Sequence, residues 1–248
     1  MVLPNIDILN GVTGLEIILS GYILGFILIF KYARRAPNQE LKKKIILRGF
    51  GLIAVYHSWF GVSASFLLMI LGLPPLGYPD GVGYANVGVL GYAWGPAFGT
   101  VIWAYIASEY YKEGRYQKPI TGFIAIFALI YAILIYGDPL HSTKWAASPG
   151  GLPETGIQGA AMALLALMLV IMMIFLGPSI MYSGRKMEDK SAKWRRYSLG
   201  GGIIMLSFFG IIDAALGAEE LGLIGLAMVK AFIFTSIFLV YEGVEKGN

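Results

Sequence analysis

Cysteine is absent from this chain, histidine occurs only twice, and charged residues make up only 14% of 248 positions. The missing thiol excludes disulfides, thiolate metal sites, iron–sulfur ligation and a cysteine nucleophile. The two histidines differ in setting, His57 inside an apolar run and His141 in a polar loop. Bis-histidine haem ligation would need both at one depth, so no haem and no metal site is expected. HExxH, phosphate-binding glycine loops and a serine motif with a plausible triad are also missing, so no enzyme activity is expected.

A soluble domain carries about 25% charged residues. Here the charge is lower and 57% of residues are hydrophobic, so the expected solvent is a bilayer. The formal charge of +4 is not gathered into any basic domain, so nucleic acid is not an expected partner.

What the sequence has instead is apolar runs. A helix needs about 20 residues to cross the hydrocarbon core. Seven runs approach or exceed that length: Asn10–Phe30, Ile45–Leu71, Val87–Tyr110, Ile120–Tyr136, Gly159–Met181, Leu199–Leu216 and Leu221–Tyr241. They predict an all-α integral membrane protein of seven transmembrane helices, with no separate soluble domain. A cleaved leader would open on a basic segment, but the first basic residue is Lys31, so the first run is expected to remain a span.

Lys and Arg resist translocation and therefore orient the spans. They crowd Lys31–Arg48, Lys112–Lys118 and Arg185–Arg196, with Lys246 after the last run, whereas the opposite loops hold only Lys144. The expected placement is multi-pass in the cell membrane, N-terminus outside and C-terminus cytoplasmic, with the basic side suited to anionic lipid. Membrane lipids are thus expected partners. The opposite loops, Gly72–Asn86 and Gly137–Ile157, are rich in Gly and Pro and are expected to be irregular, as plain connections or as a cap on the bundle.

The chain also matches itself. Gly88, Gly91, Ala93, Ala97 and Phe98 align with Gly222, Gly225, Ala227, Ala231 and Phe232, and Phe60-Gly61-Val62 aligns with Phe209-Gly210-Ile211. The expected organisation is a single membrane domain over 1–248 built as a parallel 3+1+3 pseudo-repeat: unit one at 10–110, a linker helix at 120–136, and unit two at 159–241. Small residues at Gly88/Gly91 and Gly222/Gly225 are expected to let helices three and seven approach their neighbours closely.

This seven-helix layout resembles that of the microbial rhodopsins and of the SWEET sugar transporters, whose halves are parallel repeats. The rhodopsin resemblance centres on Lys230 within Met228–Phe234, where that family places its Schiff-base lysine; it implies retinal as cofactor. Gly91–Val101 lacks the family's arginine and counterion, Ile203–Ala215 lacks its tryptophan and proline, and Leu226 stands one turn before the lysine. The proline–glutamine pairs of the SWEET family are missing. The Tyr136-Gly137-Asp138 element, with its loop pattern, resembles archaeal multi-spanning membrane proteins.

Ionisable side chains at membrane depth are costly, which makes Lys230, Asp213, His57 and Glu16 the candidate substrate- or ion-binding residues. Helices six and seven are joined by a tight turn, so Lys230 is expected within reach of Asp213 as a cavity lining or as an internal salt bridge. Pro96 occupies in helix three the place of Lys230 in helix seven and predicts a kink. Trp94, His57, Ser58 and Trp59 are expected at similar depth, surrounding a cavity at that kink, which adds Trp94 and Pro96 to the candidate binding residues. Three functions stay open: a small-solute or ion carrier with a midplane site between the units, a non-catalytic subunit or scaffold associating with other membrane subunits or itself, and a retinal-binding receptor with Lys230 as its Schiff base. Outside the last, no cofactor is expected.

Overall fold

The computed structural model describes residues 5–76, 91–146, 152 and 154–244. Among them the chain forms seven long helices: α1 (Asn5–Arg35), α2 (Gln39–Ile70), α3 (91–108), α4 (Gln117–Gly137), α5 (Gly159–Arg185), α6 (Lys190–Ala215) and α7 (Ala218–Glu242). All but α3 are long and apolar enough to cross a membrane. The run expected to open α3 begins outside the described residues. Several helices exceed their apolar runs at the basic end, because Lys and Arg propagate a helix as well as Leu does. Side chains supply two starts: Asn38 accepts from the Leu41 N–H (2.8 Å), and Asp189 from those of Ala192 (2.9 Å) and Ser191 (3.2 Å).

Each helix packs on the next in sequence, and α7 returns to pack on α1, closing a ring. The inside holds Ile17, Leu52, Tyr56, Tyr131, Met168, Ile203 and Ile233, all buried. The outside is equally apolar: Ile126, Leu129 and Ile133 of α4 are about 60% exposed, spaced to form one stripe of the helix. An apolar core inside an apolar surface is the arrangement of a multi-pass membrane protein.

Glycine sets the closest crossings. A Cβ on Gly25 would stand 2.8 Å from the Gly49 carbonyl oxygen, and one on Gly49 would stand 2.8 Å from that of Gly25. The α5–α6 crossing repeats the arrangement with Gly177 and Gly200. In both pairs the helix backbones touch directly. The expectation for the aligned glycines holds only in part. Gly91 does lie against the His57 and Ser58 carbonyls, but nothing stands near the Gly222 position and only Leu221 near that of Gly225; Gly88 lies outside the described residues. Gly222 serves the backbone instead: its φ of 65° interrupts the first turn of α7, where an L side chain would be strained.

Part of the loop expected to be irregular is ordered. Ser142 precedes β1 (Thr143–Ala146), which pairs antiparallel with β2 (Glu154–Ile157), and the hairpin packs against α6. The Leu152 N–H donates to the Asp7 carboxylate of α1 at 3.1 Å, tying this loop across the ring. The end of the bundle that carries β1 and β2 is called the hairpin end below; the opposite end is the basic end.

Candidate binding site in the bundle interior

The bundle contains a cavity of about 120 Å³ whose walls come from α1, α2, α3, α5, α6 and α7, with Ile157 of β2 also lining it. Its polar focus is one ion pair. Lys230 of α7 is 4% exposed, and its Nζ lies 2.7 Å from Oδ1 and 3.0 Å from Oδ2 of Asp213 in α6. Trp59 of α2 serves both partners. Its indole Nε1–H donates to Asp213 Oδ2 at 3.0 Å, and the Lys230 ammonium lies 5.7 Å from the ring centroid.

Chain geometry explains how a lysine well down α7 meets an aspartate near the end of α6. Helical side chains lean toward the helix N-terminus, and the N-terminus of α7 is at the hairpin end. The Lys230 chain therefore climbs toward Asp213, while the break at Gly222 shortens the regular helix above it. The ammonium consequently lies nearer the hairpin end than its Cα does.

Pro96 also lines the cavity. It lies in a widened helical turn, Ala93–Phe98, and has no N–H to offer the Tyr92 carbonyl one turn earlier. The fully buried Tyr131 of α4 adds a donor to that carbonyl, its hydroxyl bonding the Tyr92 oxygen at 2.9 Å. The Thr100 hydroxyl donates to the Pro96 carbonyl from the following turn. The proline opens the helix toward the cavity, and two side chains satisfy the carbonyls it disturbs.

The other sequence candidates point elsewhere. His57 is directed to α1, where its Nδ1 hydrogen-bonds the Tyr22 hydroxyl and its ring stacks on Tyr22 and Phe60. Trp94 is 49% exposed and stacks on Phe98. Glu16 is exposed on the outer face of α1, away from the cavity. Helical phase turns all three away from the cavity lining. Ser58 does line the cavity, beside Trp59. His141 sits on an exposed single turn, 2.8 Å from Asp138, whose carboxyl it holds below the usual carboxylate range.

The walls contributed by α2 and α6 correspond. Leu52, Tyr56, Trp59 and Val62 face the cavity from α2, and Ile203, Ser207, Gly210 and Asp213 face it from α6 at one constant offset along the chain. The same offset superposes Gly49 on Gly200. In α3 and α7 the lining pairs Tyr92/Leu226 and Pro96/Lys230 follow the offset of the glycine-rich sequence match.

Compared with known protein families, with curated proteins and with solved structures, the chain matches none significantly.

Proposed function

We propose that the chain is a membrane carrier of a small solute, oriented N-out and C-in, with its binding site at Lys230, Asp213 and Trp59. The observation that carries this reading is the buried ion pair on the wall of a cavity between the helices. A purely structural salt bridge needs no adjoining space. The pair is neutral as a whole, so it suits a neutral or zwitterionic solute that exchanges its own polar groups for those of the pair. Leu165, Leu169 and Met172 offer an apolar wall to the remainder of such a solute. An apolar cavity of about 150 Å³ holds benzene, so 120 Å³ suits a solute the size of a small amino acid.

The matched walls and glycine crossings support the parallel 3+1+3 repeat, with the site between its units. The register they favour differs by two residues from the Phe60-Gly61-Val62 alignment with Phe209-Gly210-Ile211. Carriers built from repeats rock one unit against the other, and the widened turn at Pro96 supplies a compliant point in α3. The test is a thermal-stability screen of the purified protein against small neutral, zwitterionic and anionic solutes. A solute class is expected to raise the unfolding midpoint of the wild type and leave the Lys230→Met/Asp213→Asn double variant unmoved. Equal stabilisation of both proteins would sink the assignment of the site.

One observation favours retinal as a second reading. Asp213 gives Lys230 a carboxylate at 2.7 Å, the counterion that a protonated Schiff base needs and that helix three lacks. Adding retinal would then produce a visible absorption band that Lys230→Ala abolishes; a colourless product ends this reading. The cavity is small for a twenty-carbon polyene, which places the carrier first.

A further inference from the structure

The basic end of the interior contains a second buried cation, and it has no counterion among the described residues. Arg48 of α2 is 3% exposed, one helical turn beyond Leu52 on the face that lines the cavity. Its Nη2 donates to the Tyr110 hydroxyl at 2.8 Å, just after α3. Nε and Nη1 are buried without a hydrogen-bond partner. Three of the five guanidinium N–H groups, one on Nε and two on Nη1, therefore have no acceptor among the described residues.

The neighbouring carboxylate is already engaged: Glu109 receives Lys44 at 2.6 Å, and Lys44 also reaches Glu40 at 3.0 Å. A second guanidinium approaches instead. Arg196 of α6 lies over the face of the Tyr110 ring, 4.1 Å from its centroid. Tyr110 thus holds one arginine at its hydroxyl and another on its face. A buried cation without a counterion is strongly unfavourable, and two guanidiniums meet at one tyrosine, each with a planar fork of donors of the kind that suits a tetrahedral oxyanion.

We propose that Arg48, Tyr110 and Arg196 form a binding site for a phosphate group at the basic end of the bundle, either a soluble phosphate or the headgroup of an anionic lipid. The site is independent of Lys230 and does not rest on the carrier reading.

The test uses the full chain in neutral phosphatidylcholine nanodiscs, with the unfolding midpoint followed as inorganic phosphate rises at constant ionic strength, and in nanodiscs containing phosphatidate without added phosphate. A saturable rise in the first arm identifies a soluble ligand; a rise only in the second identifies the headgroup. Either rise is expected to vanish in Arg48→Met and to weaken at least several-fold in Arg196→Gln, while the Lys230→Met/Asp213→Asn variant keeps it. A wild type unmoved in both arms, or an equal rise in Arg48→Met, overturns the proposal. Should Arg48→Met not fold, the wild type and the half-buried Arg196→Gln decide alone: an equal rise in those two also overturns it.

Discussion

Lys230 and Arg48 are both almost completely buried cations on inward helix faces, yet one is fully accommodated and the other is not. Lys230 has both oxygens of Asp213 and the Trp59 ring. Arg48 has one tyrosine hydroxyl. The difference is that one buried charge is completed by neighbouring helices, as at the hairpin-end site, while the other is left without a counterion among the described residues, as at the basic end. Between them the α2 face runs from Arg48 through Leu52 and Tyr56 to Trp59, about 16 Å of helix rise.

The contrast predicts opposite signs on truncation. Lys230→Met strands Asp213 and is expected to cost about 3–5 kcal/mol; adding Asp213→Asn should restore most of that loss. Chemical unfolding of both variants in detergent checks this, and a double variant no more stable than the single would break the picture of a self-contained pair. Arg48→Met, measured in neutral lipid without phosphate, removes an uncompensated charge and is expected to be neutral or stabilising. A loss like that of Lys230→Met would make the two cations alike.

Tyr131→Phe sharpens the same comparison with a neutral group. It removes one of the donors to the Tyr92 carbonyl beside Pro96, at an expected cost of about 0.5–1.5 kcal/mol in unfolding free energy. The smallest effect belongs to an exposed charge. The Asp189 carboxyl is held below its ordinary range by the backbone N–H groups of Ala192 and Ser191. Its capping contribution is therefore complete above the unfolded carboxylate value of about 3.9 and lost as pH falls through the lowered folded value. Asp189→Asn should flatten that part of the stability–pH curve slightly, and an unchanged curve would show that the cap contributes nothing.

The helices and the Lys230–Asp213 pair were legible because they follow from local rules: apolar run length, and two charged residues on helices joined by a tight turn. Arg48 was missed although it lies inside the apolar run Ile45–Leu71, because it was counted with the basic loop before it. Its spacing from Leu52 and Tyr56 was the available signal. Tyr131 left no signal of this kind, since its partner is a carbonyl freed by a proline on another helix. The hairpin was hidden because β1 and β2 are four residues each, too short for alternation to register, and β2 packs on α6, which is distant in sequence. Glu16, His57 and Trp94 were grouped with Lys230 as side chains within apolar runs, while helical phase decides which side chains face the cavity.

The absence of cysteine makes the central claim directly testable, because a single thiol can be introduced without removing others. Ser207, buried on the cavity wall, is the position to change. Ser207→Cys in proteoliposomes would be treated with a small, membrane-impermeant methanethiosulfonate from each face in turn. A carrier with its site in this cavity predicts modification from both faces, slowed by any solute that stabilises the wild type. Modification from neither face, with the thiol reactive only after unfolding, would contradict it.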